Sequence, residues 1–394
     1  MKSLNTIIKE GLADWDEGDF EKSIKKETSK TALKKIITDW IVSNNVNRTI
    51  KSKIKIDFNT DPITVNYDGH YTMGTHTDSL TNGVFQWGEI NGWFDCSHSE
   101  NLKSLEGAPK KINGTFDCSH CRNLESMEGC PEYCKRMVCS FNPKLKSLKG
   151  INIKHLNEFD CRECENLESL ECGIEKVDGI YWCMQCTKLT SLKGVPKEIG
   201  IGIACWKCIN LTSLEGTPES MRTFICNDCS NLKSLKGSPK IIEGQFDCSN
   251  CQKLTTLEGM PKKCRSLICM GCTGLKSLKG CGEIEEECNF SKCINLESIE
   301  DFKSKTINNM RLDDCKNLKS LKGCPDEVSA NFDCSGCDKL TSLEYAPKKV
   351  GGNFDCSGCE NLESLEGAPK KIKGFANWTN CPKITIDMAR AAGF

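Results

Sequence analysis

Net charge, histidine and long apolar runs are what this chain lacks. Its 53 basic side chains against 54 acidic ones leave a formal net charge of −1. That near-cancellation argues against the basic field needed to work on phosphate backbones, so nucleic acid is not an expected partner. No apolar run approaches ~18 residues, so no membrane-spanning helix is expected and a membrane is not a partner. Lys9 and Glu10 interrupt the opening before a signal-peptide core could form, which predicts a soluble chain made in the cytosol. A glycine-rich phosphate loop, the H-E-x-x-H pattern and a nucleophile elbow are also missing, so neither an enzyme nor a cofactor is expected.

What fills the chain instead is repetition. The stretch 332–343, Phe-Asp-Cys-Ser-Gly-Cys-Asp-Lys-Leu-Thr-Ser-Leu, recurs almost unchanged at 354–365. Its ninth-place leucine returns from Leu102, Leu124 and Leu145 through to Leu340, Leu362 and Ile384, always at steps of 21 or 22 residues. A period of that size marks a solenoid, in which each repeat buries its apolar side against its neighbours. One repeat domain is therefore a better reading of 394 residues than several globular ones.

Written as Phe-x-Cys-x-x-Cys-x-x-Leu-x-x-Leu, the unit resembles the leucine-rich repeat consensus. Its remainder, such as Glu-Gly-Ala-Pro-Lys-Lys-Ile at 366–372, resembles the return arm of short repeats in bacterial type III effectors. The resemblance implies a leucine-rich repeat solenoid: a curved parallel sheet of short strands on the concave face, extended proline-bearing arms on the convex face, and few helices. It also implies that function sits on the concave face. The repeat wording and the opening Ile-Lys-Glu-Gly-Leu-Ala-Asp-Trp-Asp further resemble uncharacterised repeat proteins of tailed bacteriophages. Effector relatives that are ubiquitin ligases carry a separate catalytic domain, for which this sequence has no room.

The 30 cysteines admit three readings. C-x-x-C pairs recurring at this spacing suggest zinc sites, and disulfide stapling suits secreted chains. The substitutions favour a third. Phe290, Leu312 and Trp378 stand at the first cysteine place, and Ser99 and Asn142 at the second. None of the first three can bind zinc, but all fill a core; Asn and Ser suit a tight hydrogen-bonding corner. The cysteines are thus read as reduced core residues, with no metal, in a reducing compartment.

In chain order, residues 1–28 mix charges around Ile7, Ile8, Leu12 and Trp15, a solvated arm or a docking peptide that folds on a partner. Residues 29–79 read as a small α/β cap. Leu33, Ile36, Ile37, Trp40 and Ile41 predict an amphipathic helix at about 30–44. Alternation through Ile54–Val65 predicts two strands extending the solenoid's sheet over its first edge. The repeats run over 80–384, from a degenerate rung at Leu80, and 385–394 reads as a helical cap. After the second leucine the charge alternates, Lys193, Glu215, Lys236, Glu258, Lys279, Glu300, Lys322, an expected ladder between stacked rungs. His98 and His120, two of the five histidines, hold one place in successive repeats and should stack as loop residues; His70, His76 and His155 add no ligand set.

Between the Phe and first Cys places each strand turns one residue outward. Six of the fourteen copies carry Asp there, most of them towards the ends, but the middle carries Trp182, Ala204 and Ile225, with Met184 and Trp206 two places on. These five are the candidate binding patch, bordered by Asp160 and Asp247. The alternative is tryptophans on a tolerant surface. The sequence therefore suggests a protein-binding scaffold for a host factor. A structural component of a virion or other assembly, docked through its arm, is the other class, and a zinc-binding array the third.

Overall fold

The computed structural model describes residues 30–46, 53–75, 77–81 and 83–392. They form a parallel β-solenoid with few helices. The described residues divide into two compact units, those up to 167 with 171–177, and 168–170 with those from 178 on.

The first unit opens with helix α1 (Lys30–Ser43), which buries Ile37 and Ile41, the i, i+4 pair of the expected apolar stripe. Trp40 meets Phe85 edge-on, 5.5 Å between ring centres. Strands β1 (Ile54–Asp57) and β2 (Ile63–Tyr67) pair antiparallel, as their alternation predicts. They do not extend the sheet that carries the phenylalanines. The first strand of that sheet is β3 (Tyr71–Thr72), and its outer edge is taken by Asn45, bridged antiparallel to Met73, and by the Val46 amide, which donates to the Thr72 carbonyl. With that edge occupied, β2 pairs instead with β4 (Phe85–Ile90), and β4 with Lys111–Ile112, so the hairpin heads a second sheet built from the arms.

Each turn then contributes a short strand to the Phe-bearing sheet. In the first unit Tyr71, Phe94, Phe116, Met137 and Phe159 are register neighbours. In the second, Tyr181, Ile203, Phe224, Phe246, Leu267, Cys288, Met310, Phe332, Phe354 and Ala376 are. The Phe and Cys places face inward, and the two leucines after the corner close the core: Phe332, Cys334, Leu340 and Leu343 are all 0% exposed. Alternation along a pleated strand puts every second residue on one face, which is why the spacing alone gives this core. One repeat exchanges the pair, with Cys288 at the Phe place and Phe290 at the Cys place, and both are fully buried, so the exchange preserves the filling.

The return arms are more ordered than an extended segment. Glu327–Val328, Lys349–Val350 and Lys371–Ile372 stack as parallel two-residue strands, charged residue outward. A glycine starts most arms because the turn runs through positive φ, +83° at Gly129 and +93° at Gly259, and Tyr345 takes the same conformation in one repeat, φ 68°. A Cβ on Gly129 would also lie 2.5 Å from the Glu106 amide nitrogen of the previous rung.

At the far end helix α2 (Ile386–Ala391) starts from Thr385, whose hydroxyl accepts from the Met388 amide. It covers less than a cap over 385–394 would. Of its residues only Ala389 is buried, and Ile386 is 71% exposed. Among the described residues no helix is long and apolar enough to cross a membrane.

Candidate interaction face

The outward geometry of each rung follows from Asp-Cys-Ser. The Asp carboxylate accepts from the amide two residues on, Ser97 to Asp95 at 2.9 Å, Ser249 to Asp247 at 2.9 Å and Ser357 to Asp355 at 2.8 Å. This Asx turn ends the strand. The next residue is left-handed, φ 58° at His98, 57° at Lys207 and 60° at Lys292, with glycine there at Gly336 and Gly358.

Turning the serine amide away leaves the first-Cys carbonyl without the donor a continued ladder would supply. The second-place thiol of the next rung takes over. Cys121 donates to the Cys96 carbonyl at 3.2 Å, Cys208 to Cys183 at 3.2 Å, Cys229 to Cys205 at 3.3 Å and Cys293 to Cys269 at 3.1 Å. Asn142 does the same with its amide, 3.0 Å from the Cys118 carbonyl. The cysteines are therefore placed by backbone hydrogen bonding and packing. Cys130, Cys172 and Cys324 are partly exposed, the other cysteines are buried, and none is disulfide-bonded. Burial in apolar surroundings pushes the Cys121 and Cys134 thiols up to about 12. Among the described residues no group of three or more His, Cys, Asp or Glu is arranged to hold a metal ion.

An asparagine column, which the sequence reading left unassigned, runs beside the thiols. Asn210 donates its side-chain amide to the Thr187 carbonyl at 2.8 Å, Asn295 to Thr273 at 2.8 Å and Asn361 to Asp338 at 2.8 Å. The signal was in view: Asn precedes the ninth-place leucine in most repeats.

On the outer face, Trp182, Ala204 and Ile225 are consecutive register neighbours. Asp247 and Ile268 continue the row. Met184 and Trp206 stand two places on along the same face. The patch is less open than five apolar residues suggest. Trp182, Trp206 and Ile225 are half-buried, whereas Met184 is 7% and Ala204 2% exposed. An alanine on the outer face of a sheet is hidden only if larger neighbours lean over it, so Met184 and Ala204 form a floor and not a contact surface. The Lys207 ammonium lies 5.1 Å from the Trp206 ring centre. Ile268 and the 39% exposed Met270 carry apolar surface further along the row. Asp247 stands at the border as expected. Asp160 does not serve as a rim: it is wholly buried and paired with Arg162 at 2.7 Å.

The apolar rungs forgo a bond that their neighbours make. Without the carboxylate, the amides of Met184, Trp206, Asn227 and Met270 make no hydrogen bond among the described residues. Each such bond contributes about 0.5–1.5 kcal/mol. Elsewhere, His98 and His120 stack at 4.5 Å and His120 and Phe141 at 4.2 Å, and burial lowers the His120 pKa. Ile7, Ile8, Leu12 and Trp15 lie outside the described residues.

No protein-family model matches the chain, and no curated protein does. Among solved structures it is similar to a leucine-rich repeat protein from Bacteroides ovatus ATCC 8483, with 16% identity, 84% of this chain and 92% of that chain covered, and a TM-score of 0.39. The description of this chain as a β-solenoid rests on its own strand register and core.

Proposed function

We propose that this chain is a non-enzymatic protein-binding scaffold whose partner sits on the outer sheet face around Trp182, Trp206 and Ile225. The observation that carries this reading is the forgone turn bond. The repeats are a control within one molecule: eight place Asp or Asn and keep the bond, while these rungs give it up for apolar surface. A local rule broken without a local gain points to use elsewhere. Tryptophan at the centre of an apolar patch also has the chemistry of a binding hot spot.

The resemblance to effector-style and phage repeats makes a host protein the natural partner, and the reduced core thiols suit a cytoplasmic, reducing setting. The test begins with a partner identified by cross-linking to the intact chain and verified with purified components. Trp182→Ala with Trp206→Ala should then weaken binding by ~2 kcal/mol or more while the melting temperature holds. Ile225→Asp should restore a turn bond to the Asn227 amide, raising stability as it lowers affinity. Unchanged affinity in both variants would remove the site from this face and turn attention to the arm around Trp15.

A further inference from the structure

The corner of a rung offers an amide two places after its outward residue, and the chain itself shows which group serves that amide. In eight rungs the acceptor is the rung's own Asp or Asn, reaching in from the outer face, as from Ser119 to Asp117 at 2.9 Å and from Ser335 to Asp333 at 3.0 Å. Ala204 and Ile225 supply no acceptor, so the amides of Trp206 and Asn227, on adjacent rungs in the middle of the apolar patch, make no hydrogen bond among the described residues. Both residues are half-buried, and the side from which a carboxylate reaches this amide elsewhere is the side from which a partner approaches. The two amides differ in their charged neighbours. Lys207 follows Trp206 in a left-handed conformation and holds its ammonium 5.1 Å from the indole ring centre. Asp228 follows Asn227, and its carboxylate accepts from the Asn227 and Asn250 side-chain amides at 2.7 and 3.0 Å. Asp247 lies one rung further on, committed to the Ser249 amide.

We infer that the partner of this face is an apolar segment with one internal acidic side chain, Asp or Glu, whose carboxylate takes the Trp206 amide and pairs with Lys207. The inference rests on the binding face proposed above and adds the chemistry of its occupant. A carboxylate is the group this fold already uses on that amide, and a hydrogen bond to a charged acceptor is about twice as strong as a neutral one. The position of the charge follows from the neighbours. Trp206 has an ammonium beside it, whereas Asp228 and Asp247 stand on the Asn227 side and would repel a second carboxylate, so the Asn227 amide suits an uncharged carbonyl of the same segment. The acidic residue is internal because the segment continues on either side of it, to cover Trp182 one rung before and Ile225 one rung after. Apolar contact then supplies the buried area, and the single charge sets the register of the segment on the rungs. Covering the Trp206 ring also excludes water from the ion pair, which strengthens it and penalises a segment that lacks the acid.

Random linear peptides displayed on yeast, selected on the intact chain and counter-selected on its Trp182→Ala, Trp206→Ala double variant, test it. The expected peptides carry an Asp or Glu between apolar residues, and synthetic copies with Asn or Gln in its place should bind about tenfold more weakly. Lys207→Glu should weaken the acidic peptides about fivefold at low salt and less at high salt, leaving the amide copies unchanged, with circular dichroism and melting held. Ala204→Asp supplies the Trp206 amide from within its own rung, as Asp247 does for Ser249, and should abolish the preference for the acidic peptide over its amide copy. Patch-dependent peptides without an acidic residue, or equal binding of acid and amide copies, would overturn the inference and leave the face as a binding surface. No peptide at all, or only peptides indifferent to both tryptophans, would remove the face as well.

Discussion

A second-place cysteine is interchangeable with asparagine because both reach the same carbonyl. At Asn142 the donor is an amide and at Cys208 a thiol, each about one rung from its acceptor, at 3.0 Å and 3.2 Å. The core therefore needs a small donor there, and sulfur supplies it with little desolvation penalty. Cys208→Ala should cost about 1–3 kcal/mol, since it removes the thiol's bond to the Cys183 carbonyl and leaves a small void. Cys208→Asn should retain most of the stability. Chemical denaturation of the two variants decides this, and equal losses would mean that the thiol acts only as filler. The purified protein should hold no stoichiometric zinc, and its buried thiols should alkylate only after denaturant is added. More than about two zinc ions per chain by elemental analysis would contradict the reading.

Among the elements, the arm-side charge ladder forms as contacts between adjacent rungs. Lys193 meets Glu215 at 3.1 Å, Lys279 meets Glu258 at 2.9 Å and Lys322 meets Glu300 at 3.5 Å. Hydrogen bonding and the charge of Lys279 hold the Glu258 carboxyl below its usual range, with Lys236 adding to the effect. All these groups are exposed, so the ladder sets register and solubility more than stability. Lys236→Glu would stand between Glu215 and Glu258 and should lower the melting temperature by only ~1–3 °C, an effect that salt removes. Reversing all three charges should restore most of it. If the single and triple variants melt together in low salt, the side chains do not interact across rungs.

At the scale of the whole molecule the buried thiols couple stability to alkaline pH. Unfolded cysteine ionises near ~8.5, whereas burial holds Cys121 and Cys134 protonated up to about 12. Their contribution is complete below the unfolded value and is lost as pH rises through this interval. Each such thiol removes ~1.4 kcal/mol per pH unit there. Denaturant titrations at successive pH values should show stability level to about pH 8 and falling steeply by about pH 10. A flat profile would mean that the thiols ionise in place.

Period, strand, corner and core were legible in the residues because each repeat is a restatement of the others. Fourteen-fold redundancy turned substitutions such as Phe290, Trp378 and Asn142 into statements about place, and the alternation of Phe and Cys fixed which face is buried. What the sequence could not decide were matters of which group reaches which across rungs. The hairpin joined the arm sheet because Asn45 and Val46 already occupied the other edge. Met184 and Ala204 are buried at 7% and 2% exposure although their places face outward, which the residue pattern alone does not reveal. At the far end α2 buries Ala389 and leaves Ile386 71% exposed. A repeat pattern specifies the environment of each place within the array; competition for an edge and cover at an end are settled only when the rungs are assembled.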